Sequence, residues 1–315
     1  MFSGQIPNIF ELWNVATLRV AAPKDVIFIC GGPWGDPPSA VKSRRDIILR
    51  ESVRGELKKF RFVRAESLTE IGQNASYKEF LTFEADIAQI SALVLLFAES
   101  AGSFTELGAF AMVDDIADRL LVIVDDVYYV DDSFIKWGPI EYLEKSRGDE
   151  SVFVLNRESV GMMHDGRVTD IDPVEFSEQI LGAIKRRIRS SAGSSKFDPS
   201  KTGHVIRFLT GLLQDYGALT LDEMHLCAEA CGLSIAVDRV QEYMTSAEFL
   251  SWVFKKREGF ETYFAARGGR EAIRYDFLPN AAYIDRARWR ADVLAHWRRH
   301  EKSRARAIDA ARALG

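Results

Sequence analysis

Glu106 is the carboxylate best placed to do chemistry in this chain of 315 residues. It lies in the segment SALVLLFAESAGSFTELGAFA, Ser91 to Ala111. The uncharged run Ala92 to Ala98 reads as a buried strand. The small-residue turn Glu99-Ser100-Ala101-Gly102-Ser103 follows, and Phe104 to Ala111 reads as a helix. In open α/β sheets such a strand end gathers free backbone N–H groups and the positive end of a helix dipole. Phosphate and sugar groups bind there. A carboxylate in the first turns of the helix, beside Thr105 and just before Gly108, can point into the cleft. Gly108 and Ala109 are expected to let the helix lie close to the sheet. The spacing from Ser103 to Glu106 also fits a capping box, in which Glu106 would only close the helix start. Ser100, Gly102, Ser103 and Thr105 are the expected substrate contacts of this turn.

A second glycine-bearing loop follows the strand run Val26 to Cys30. Its residues Gly31, Gly32, Trp34, Gly35 and Asp36, with Pro33, Pro37 and Pro38 between and after them, make a stiff loop that permits close approach. Ser39 is expected to cap a helix running to about Gly55, and Arg44 and Arg45 in its early turns could bind a phosphate. Trp34 either stacks on a base or nicotinamide ring or packs the loop. The loop has neither the G-x-G-x-x-G dinucleotide spacing nor the G-K-[ST] of a P-loop, so neither hydride transfer nor ATP hydrolysis is indicated. If the two strands are neighbours, both loops open on one crevice.

The elements that must position these loops alternate in type. Strands are expected at Phe60–Val63, 120–124 and 151–155, with helices at Asn74–Ile90 and Pro173–Ile188. Apolar strands alternating with helices give a Rossmann-like α/β fold, a parallel sheet covered by helices, over residues 1–190. SSAGSSKFDPS, Ser190 to Ser200, reads as a linker, placed at 191–200. Residues 201–315 then change pattern. Helices are expected at His204–Gln214, Leu221–Cys231 and Ser234–Tyr243. A hairpin with Lys255, Lys256 and Arg257 at its tip follows, and one long helix runs from Ala287 to Leu314. Three short helices and a basic hairpin form a winged-helix (α+β) pattern followed by a C-terminal helix. Arg239, Lys255, Lys256, Arg257, Arg298 and Arg299 are the expected nucleic-acid contacts. Trp289, Val293, Leu294 and Trp297 recur at helical spacing and are expected to pack rather than stack on bases.

Composition sets the remaining bounds. Net charge is −5, yet Arg286 to the end holds nine Lys/Arg against three acids, a basic end that suits an anionic partner or a solvated helix face. Three cysteines give no disulfide framework, and no Cys/His set has zinc spacing, so no metal is expected. No apolar run reaches membrane-spanning length, and MFSGQIPNIFELWNV lacks the features of a secretory signal. A cytoplasmic location with no membrane contact is the expectation.

The Ala-Gly-Ser-Phe-Thr-Glu-Leu-Gly-Ala segment resembles the Gly-Thr-x-x-Glu-Leu-Gly-x-Ala signature of nucleoside deoxyribosyltransferase-like N-glycosidases. The resemblance implies Glu106 as nucleophile and upstream acids that orient the sugar and protonate the base. Glu99 lies near one of those positions and Glu84 or Asp86 near the other, while Ser91 and Ser100 stand where that family often has aspartates. Cationic nicotinamide needs no proton to leave, so such a site suits NAD as substrate, with no cofactor, better than a purine nucleoside. FICGG at Phe28–Gly32, the segment Leu95–Ala111 and the helix-hairpin-helix final third together resemble the effectors of retron anti-phage systems. That implies a toxin-like enzyme, self-association, and restraint by a reverse transcriptase with its branched RNA–DNA product (msDNA and its noncoding RNA). A deoxyribosyltransferase, a phosphoribohydrolase acting on nucleoside monophosphates, and a non-catalytic nucleotide-sensing DNA-binding regulator are the alternatives.

Overall fold

The computed structural model describes residues 9–67, 77–162, 167–190, 193–281 and 284–314. In chain order its main elements begin with β1 (Trp13–Ala21), β2 (Val26–Cys30), α1 (Arg44–Glu51), β3 (Arg61–Arg64), α2 (Phe80–Ile90), β4 (Leu93–Ala98) and α3 (Ala101–Ala111). β5 (Leu120–Asp125), β6 (Val152–Leu155), α4 (Pro173–Ser190) and β7 (Ser194–Lys196) come next. The remainder is α5 (Thr202–Tyr216), β8 (Ala218–Leu219), α6 (Leu221–Ala230), α7 (Val237–Phe249), β9 (Val253–Glu258), β10 (Glu261–Ala266), β11 (Ile273–Phe277), α8 (Arg286–His300) and α9 (Lys302–Arg312).

These elements form two compact units. One comprises Pro23–Glu70 and Ile87–Ala192; the other comprises Met1–Ala22, Ile71–Asp86 and Gly193–Gly315. The first is the expected α/β layer. Its five strands run in the order β3-β2-β4-β5-β6, every pairing parallel. β2, β4 and β5 are buried along their whole length, as a sheet covered on both faces requires. α4 buries Phe176, Ile180, Ala183, Ile184 and Arg187, one stripe at helical spacing, against the sheet core of Ile27, Ile29, Leu95, Phe97, Leu121 and Ile123. β2 and β4 are neighbours, with Ile27 opposite Leu93 and Cys30 opposite Leu96, so the two glycine-bearing loops do leave adjacent strand ends.

Several expected boundaries move. α1 starts at Arg44 because Ser43, not Ser39, is its N-cap; the Ser43 hydroxyl accepts from the Asp46 N–H at 3.0 Å. Ser39 instead closes a turn on the Asp36 carbonyl, donating from its N–H at 3.1 Å and its hydroxyl at 2.6 Å. The helix expected from Asn74 begins at Phe80; positions 74–76 lie outside the described residues. Ser194–Lys196, inside the expected linker, is a strand that pairs antiparallel with β1. β1 also pairs with β11, so residues 13–21 belong with the C-terminal unit rather than with residues 1–190. A strand so early in the chain, far in sequence from both its partners, leaves no local signal of that pairing.

In the C-terminal unit, α5, α6 and α7 accompany a three-stranded antiparallel sheet, β8-β10-β9. α6 opens with a capping box between Thr220 and Glu223. α7 spans Val237–Phe249, later and longer than the expected Ser234–Tyr243. The single final helix is in fact two, α8 and α9, broken at Glu301, whose φ of −132° and ψ of 74° are not helical. Trp289, Val293 and Trp297 are buried on one stripe of α8, as expected, and the Trp297 indole donates to the Tyr216 carbonyl at 2.8 Å. Among the described residues no helix is long and apolar enough to cross a membrane.

Candidate active site

α3 begins three residues earlier than its sequence suggests, at Ala101, which places Glu106 in its second turn. The start is closed by Ser100 and Ser103 alone. The Ser100 hydroxyl accepts from the Ser103 N–H at 3.2 Å, and the Ser103 hydroxyl accepts from the Ser100 N–H at 2.9 Å. Ser103 also accepts from the Glu99 N–H at 3.0 Å, so it ties the end of β4 to the helix. The capping box expected for Ser103 and Glu106 is therefore made one turn earlier. Ser103, Leu107, Phe110 and Ala111 form the buried stripe of α3, and Glu106 lies three residues after Ser103 on its flank, half-buried. A Glu106 carboxylate oxygen lies within 4.8 Å of the Cys30 thiol sulfur, at the carboxyl end of β2. Gly108 and Ala109 do not let the helix approach the sheet; both are exposed, and a Cβ on Gly108 would meet nothing within 4 Å. Gly102 and Thr105 are exposed as well, and the Thr105 hydroxyl donates back to the Ala101 carbonyl at 3.0 Å.

Glu99 turns toward the first loop. Its carboxylate accepts from the N–H groups of Gly32 at 3.0 Å, Arg44 at 2.9 Å and Arg45 at 3.2 Å. The Arg44 and Arg45 amides form the start of α1 and that of Gly32 the start of the loop, so the chain's own carboxylate fills the anion site that the helix start was expected to offer a phosphate. The glycines next to it serve this contact. A Cβ on Gly32 would come within 2.8 Å of the Ser43 Cβ and 3.0 Å of Glu99 Oε1. A Cβ on Gly31, where φ is +151°, would come within 2.9 Å of the Phe97 Cβ.

The two arginines that open α1 are likewise committed to the protein. Arg44 donates to Asp125 at 2.5 Å, and Arg45, 1% exposed, makes a two-pronged pair with Glu66 at 3.0 and 2.5 Å. Arg50 holds the outer loop shut; it pairs with Asp46 at 3.0 Å and donates to the carbonyls of Gly35 at 2.9 Å and Ser39 at 2.8 Å. The Gly35 N–H reaches Asp46 at 3.4 Å, and a Cβ there would lie 2.8 Å from Ser39 Oγ. Trp34 is half-buried with the Arg64 guanidinium 3.6 Å from its ring centroid. Asp36 is exposed.

An acidic pair completes the edge. Asp125 ends β5, one residue beyond the rung that joins Ala98 to Val124, and is fully buried. It accepts from Arg157 at 2.7 Å besides Arg44. Burial pushes its carboxyl up, but the hydrogen bond from Arg157 and the charge of Arg44 hold it below the ordinary carboxylate range. Asp126 is raised, by its own burial and by the neighbouring Asp125. Phe104 of α3 packs edge-on against Tyr128, which sets the turn Asp126–Val130 beside the helix that carries Glu106.

The STM3845 retron effector protein family matches this chain over residues 41–256, more than half its length; the match includes the turn Glu99–Ser103 and Glu106 but begins after the loop 31–38. The chain belongs to that family. It is 26% identical over 176 residues to an Escherichia coli protein named "Retron Ec86 putative ribosyltransferase/DNA-binding protein", a match covering 53% of each chain. The Ec73 protein of the same description, also from Escherichia coli, is 27% identical over 150 residues, 46% of each chain. The chain thus spans about half the length of these relatives.

In this retron effector, Asp125, Asp126, Arg157 and Cys30 were not singled out as site residues by their sequence. The signal was present for two of them: an acidic pair directly after an uncharged strand must lie at the sheet's carboxyl edge. Glu84, expected to act with Glu106, is buried at 6% exposure on α2. Its neighbour Asp86 is engaged in the C-terminal unit, accepting from Tyr77 at 2.6 Å and Arg239 at 2.9 Å.

The expected nucleic-acid residues divide. Arg239 is bound by Asp86 and by Glu242 at 2.7 Å, with the Tyr243 ring 4.3 Å away, so its charge is spent inside the unit. Lys255, Lys256 and Arg257 lie along β9 rather than at the hairpin tip. Lys256 pairs with Glu258 at 2.9 Å, whereas Lys255 and Arg257 are exposed. Arg298 pairs with Asp309 at 3.1 Å and Arg299 is exposed. Much of the basic tail is structural: Arg286 and Arg290 pair with buried Asp215, and Arg304, 3% exposed, with Glu223.

Proposed function

We propose that this retron effector is an N-glycosidase that cleaves NAD or a related nucleotide, with Glu106 as nucleophile. The observation that carries the reading is the placement of Glu106: half-buried on the inward flank of α3, beside Cys30, at the edge where β2 and β4 end. The relatives' names, which include ribosyl transfer, support the same chemistry. A Glu106 carboxylate oxygen attacks the anomeric carbon as its bond to the nicotinamide nitrogen breaks. The bonding pair leaves with the ring as neutral nicotinamide. Water then hydrolyses the ribosyl ester, which gives ADP-ribose and a proton and restores Glu106. Glu99 acts as a positioning group, since its oxygens are occupied by the start of α1.

The order α5-β8-α6-α7-β9-β10, with its three-stranded antiparallel sheet, supports a winged helix in the C-terminal unit. We assign it to nucleic acid, in keeping with the relatives' description as DNA-binding, with the retron's reverse transcriptase and msDNA as the restraining partners. The test is nicotinamide release from NAD by the purified protein beside Glu106→Gln. Release by wild type and a loss of about 10³-fold or more in the variant is expected. Equal release by both would remove Glu106 from the mechanism. Base exchange on nucleosides without NAD cleavage would make the protein a deoxyribosyltransferase instead.

A further inference from the structure

β9 and β10 pair so that Glu258 faces Glu261, which leaves Gly259 and Phe260 as a two-residue turn. Gly259, with φ of +68°, supplies the positive dihedral that such a turn needs at its first position. Phe260 needs no aromatic ring for that geometry, yet its side chain stands fully in solvent at 101% relative exposure. A large apolar side chain held out on a rigid turn gains nothing for the fold.

The hairpin has two unlike faces. On one, Glu258 and Glu261 face each other beside Lys256, and Glu258 takes both Lys256 at 2.9 Å and Arg306 at 2.8 Å, so charge is balanced there. On the other, Arg257 lies opposite Thr262 and Lys255 opposite Phe264, and those rungs carry no carboxylate. The Arg257 guanidinium also donates to the Gly259 carbonyl at 3.4 Å, which stiffens the turn next to Phe260. Glu248 accepts from the Lys255 backbone N–H and also feels the charge of its ammonium, at the end of the strand away from the tip. The tip thus joins a bare aromatic ring to two exposed cations spaced along one strand face.

We infer that Phe260, Lys255 and Arg257 form a binding site for single-stranded nucleic acid. The two cations take successive phosphates, and an unpaired base stacks on the Phe260 ring. A paired base has both faces covered by its neighbours in the helix, so the ring discriminates strand from duplex, whereas the cations do not. This inference rests on the nucleic-acid reading of the C-terminal unit and is independent of the chemistry at Glu106.

The test is fluorescence anisotropy of the full chain with a labelled single-stranded oligonucleotide and with a blunt duplex of equal length, at fixed salt. Phe260→Ala is expected to weaken single-strand binding roughly 5- to 150-fold, the cost of one lost base stack, and to change duplex binding less than about twofold. Phe260→Trp should retain strand affinity and add a fluorescence quench on binding. Lys255→Ala and Arg257→Ala should each lower the salt slope of strand binding by about 0.7. Phe260 is fully exposed and Lys255 and Arg257 lie on the surface, and thermal melts of each variant show that the fold is kept before affinities are compared. Unchanged strand affinity in Phe260→Ala, or equal weakening of strand and duplex, would overturn the inference and leave the nucleic-acid reading standing. Failure of the wild type to bind either would overturn both and assign the tip to a protein partner.

Discussion

α1 and α3 start at the ends of adjacent parallel strands, each after a loop rich in glycine or serine, and their first turns are completed in opposite ways. The amides of Arg44 and Arg45 at the start of α1, and that of Gly32 in the loop before it, are bound by the Glu99 carboxylate, and the Arg44 side chain is locked to Asp125. The start of α3 is closed by two serine hydroxyls and carries no internal charge. A neutral cap leaves the positive end of the α3 dipole unmatched, close to where a sugar or phosphate would meet Glu106. The lesson is that two helix starts at one sheet edge need not both serve the ligand. One is committed to holding the edge together, whereas the other carries only a neutral cap.

The largest expected effect tests the commitment of α1. Asp125→Asn removes the charge that buried Arg44 and half-buried Arg157 share, and should cost about 3–5 kcal/mol in urea unfolding at neutral pH. Because the folded-state carboxyl of Asp125 is held low, its contribution is complete above the unfolded carboxylate range, about pH 3.9, and is lost as pH falls through the folded value. The gap between wild type and Asp125→Asn should therefore narrow below about pH 4. A gap that stays constant with pH would mean that Asp125 acts through packing rather than charge.

Next comes Glu99→Ala, which empties the start of α1. A loss of about 1.5–3 kcal/mol is expected, the scale of hydrogen bonds to a charged group. Millimolar sulfate should recover part of it, because the vacated amides then bind an external anion. Thermal melts with and without sulfate check this, and equal salt effects on wild type and variant would deny the comparison between the two helix starts.

The smallest effects should differ in sign between the two segments. Gly32→Ala forces a Cβ to within 2.8 Å of Ser43 and should destabilise by about 1–3 kcal/mol. Gly108→Ala meets open space on an exposed helix face and should stabilise by about 0.5–1 kcal/mol. If both substitutions destabilise alike, Gly108 has a contact role that its exposure does not show.

Much of the α/β unit was legible because its signals are local. Uninterrupted apolar runs at 26–30, 93–98 and 120–124 have no stable place except inside a sheet covered on both faces. The carboxyl-edge position of Glu106 followed from that pattern. Its partners did not, since Cys30 lies many residues away and reaches it only because β2 lies beside β4. The helix caps were misread for a related reason. Ser39 and Ser43 are equally good caps by type, and so are Ser100 and Ser103. The choice fell to whichever hydroxyl met an amide once Asp46 and Glu99 had found their own.

The sequence by itself determined which segments become buried strands, that Glu106 lies on the helix that follows β4 at the sheet's carboxyl edge, and that α8 packs through its tryptophans. Periodicity and apolar content act over a few residues, and no distant partner can change them. Tertiary structure alone decided that β1 joins the C-terminal unit, that Glu99 serves α1, and that Arg286 and Arg290 neutralise buried Asp215 and Arg304 pairs with Glu223 while Lys255 and Arg257 stay exposed. Charge and hydrogen-bonding capacity are satisfied by whichever group the fold brings within about 3 Å, and sequence order carries little of that information.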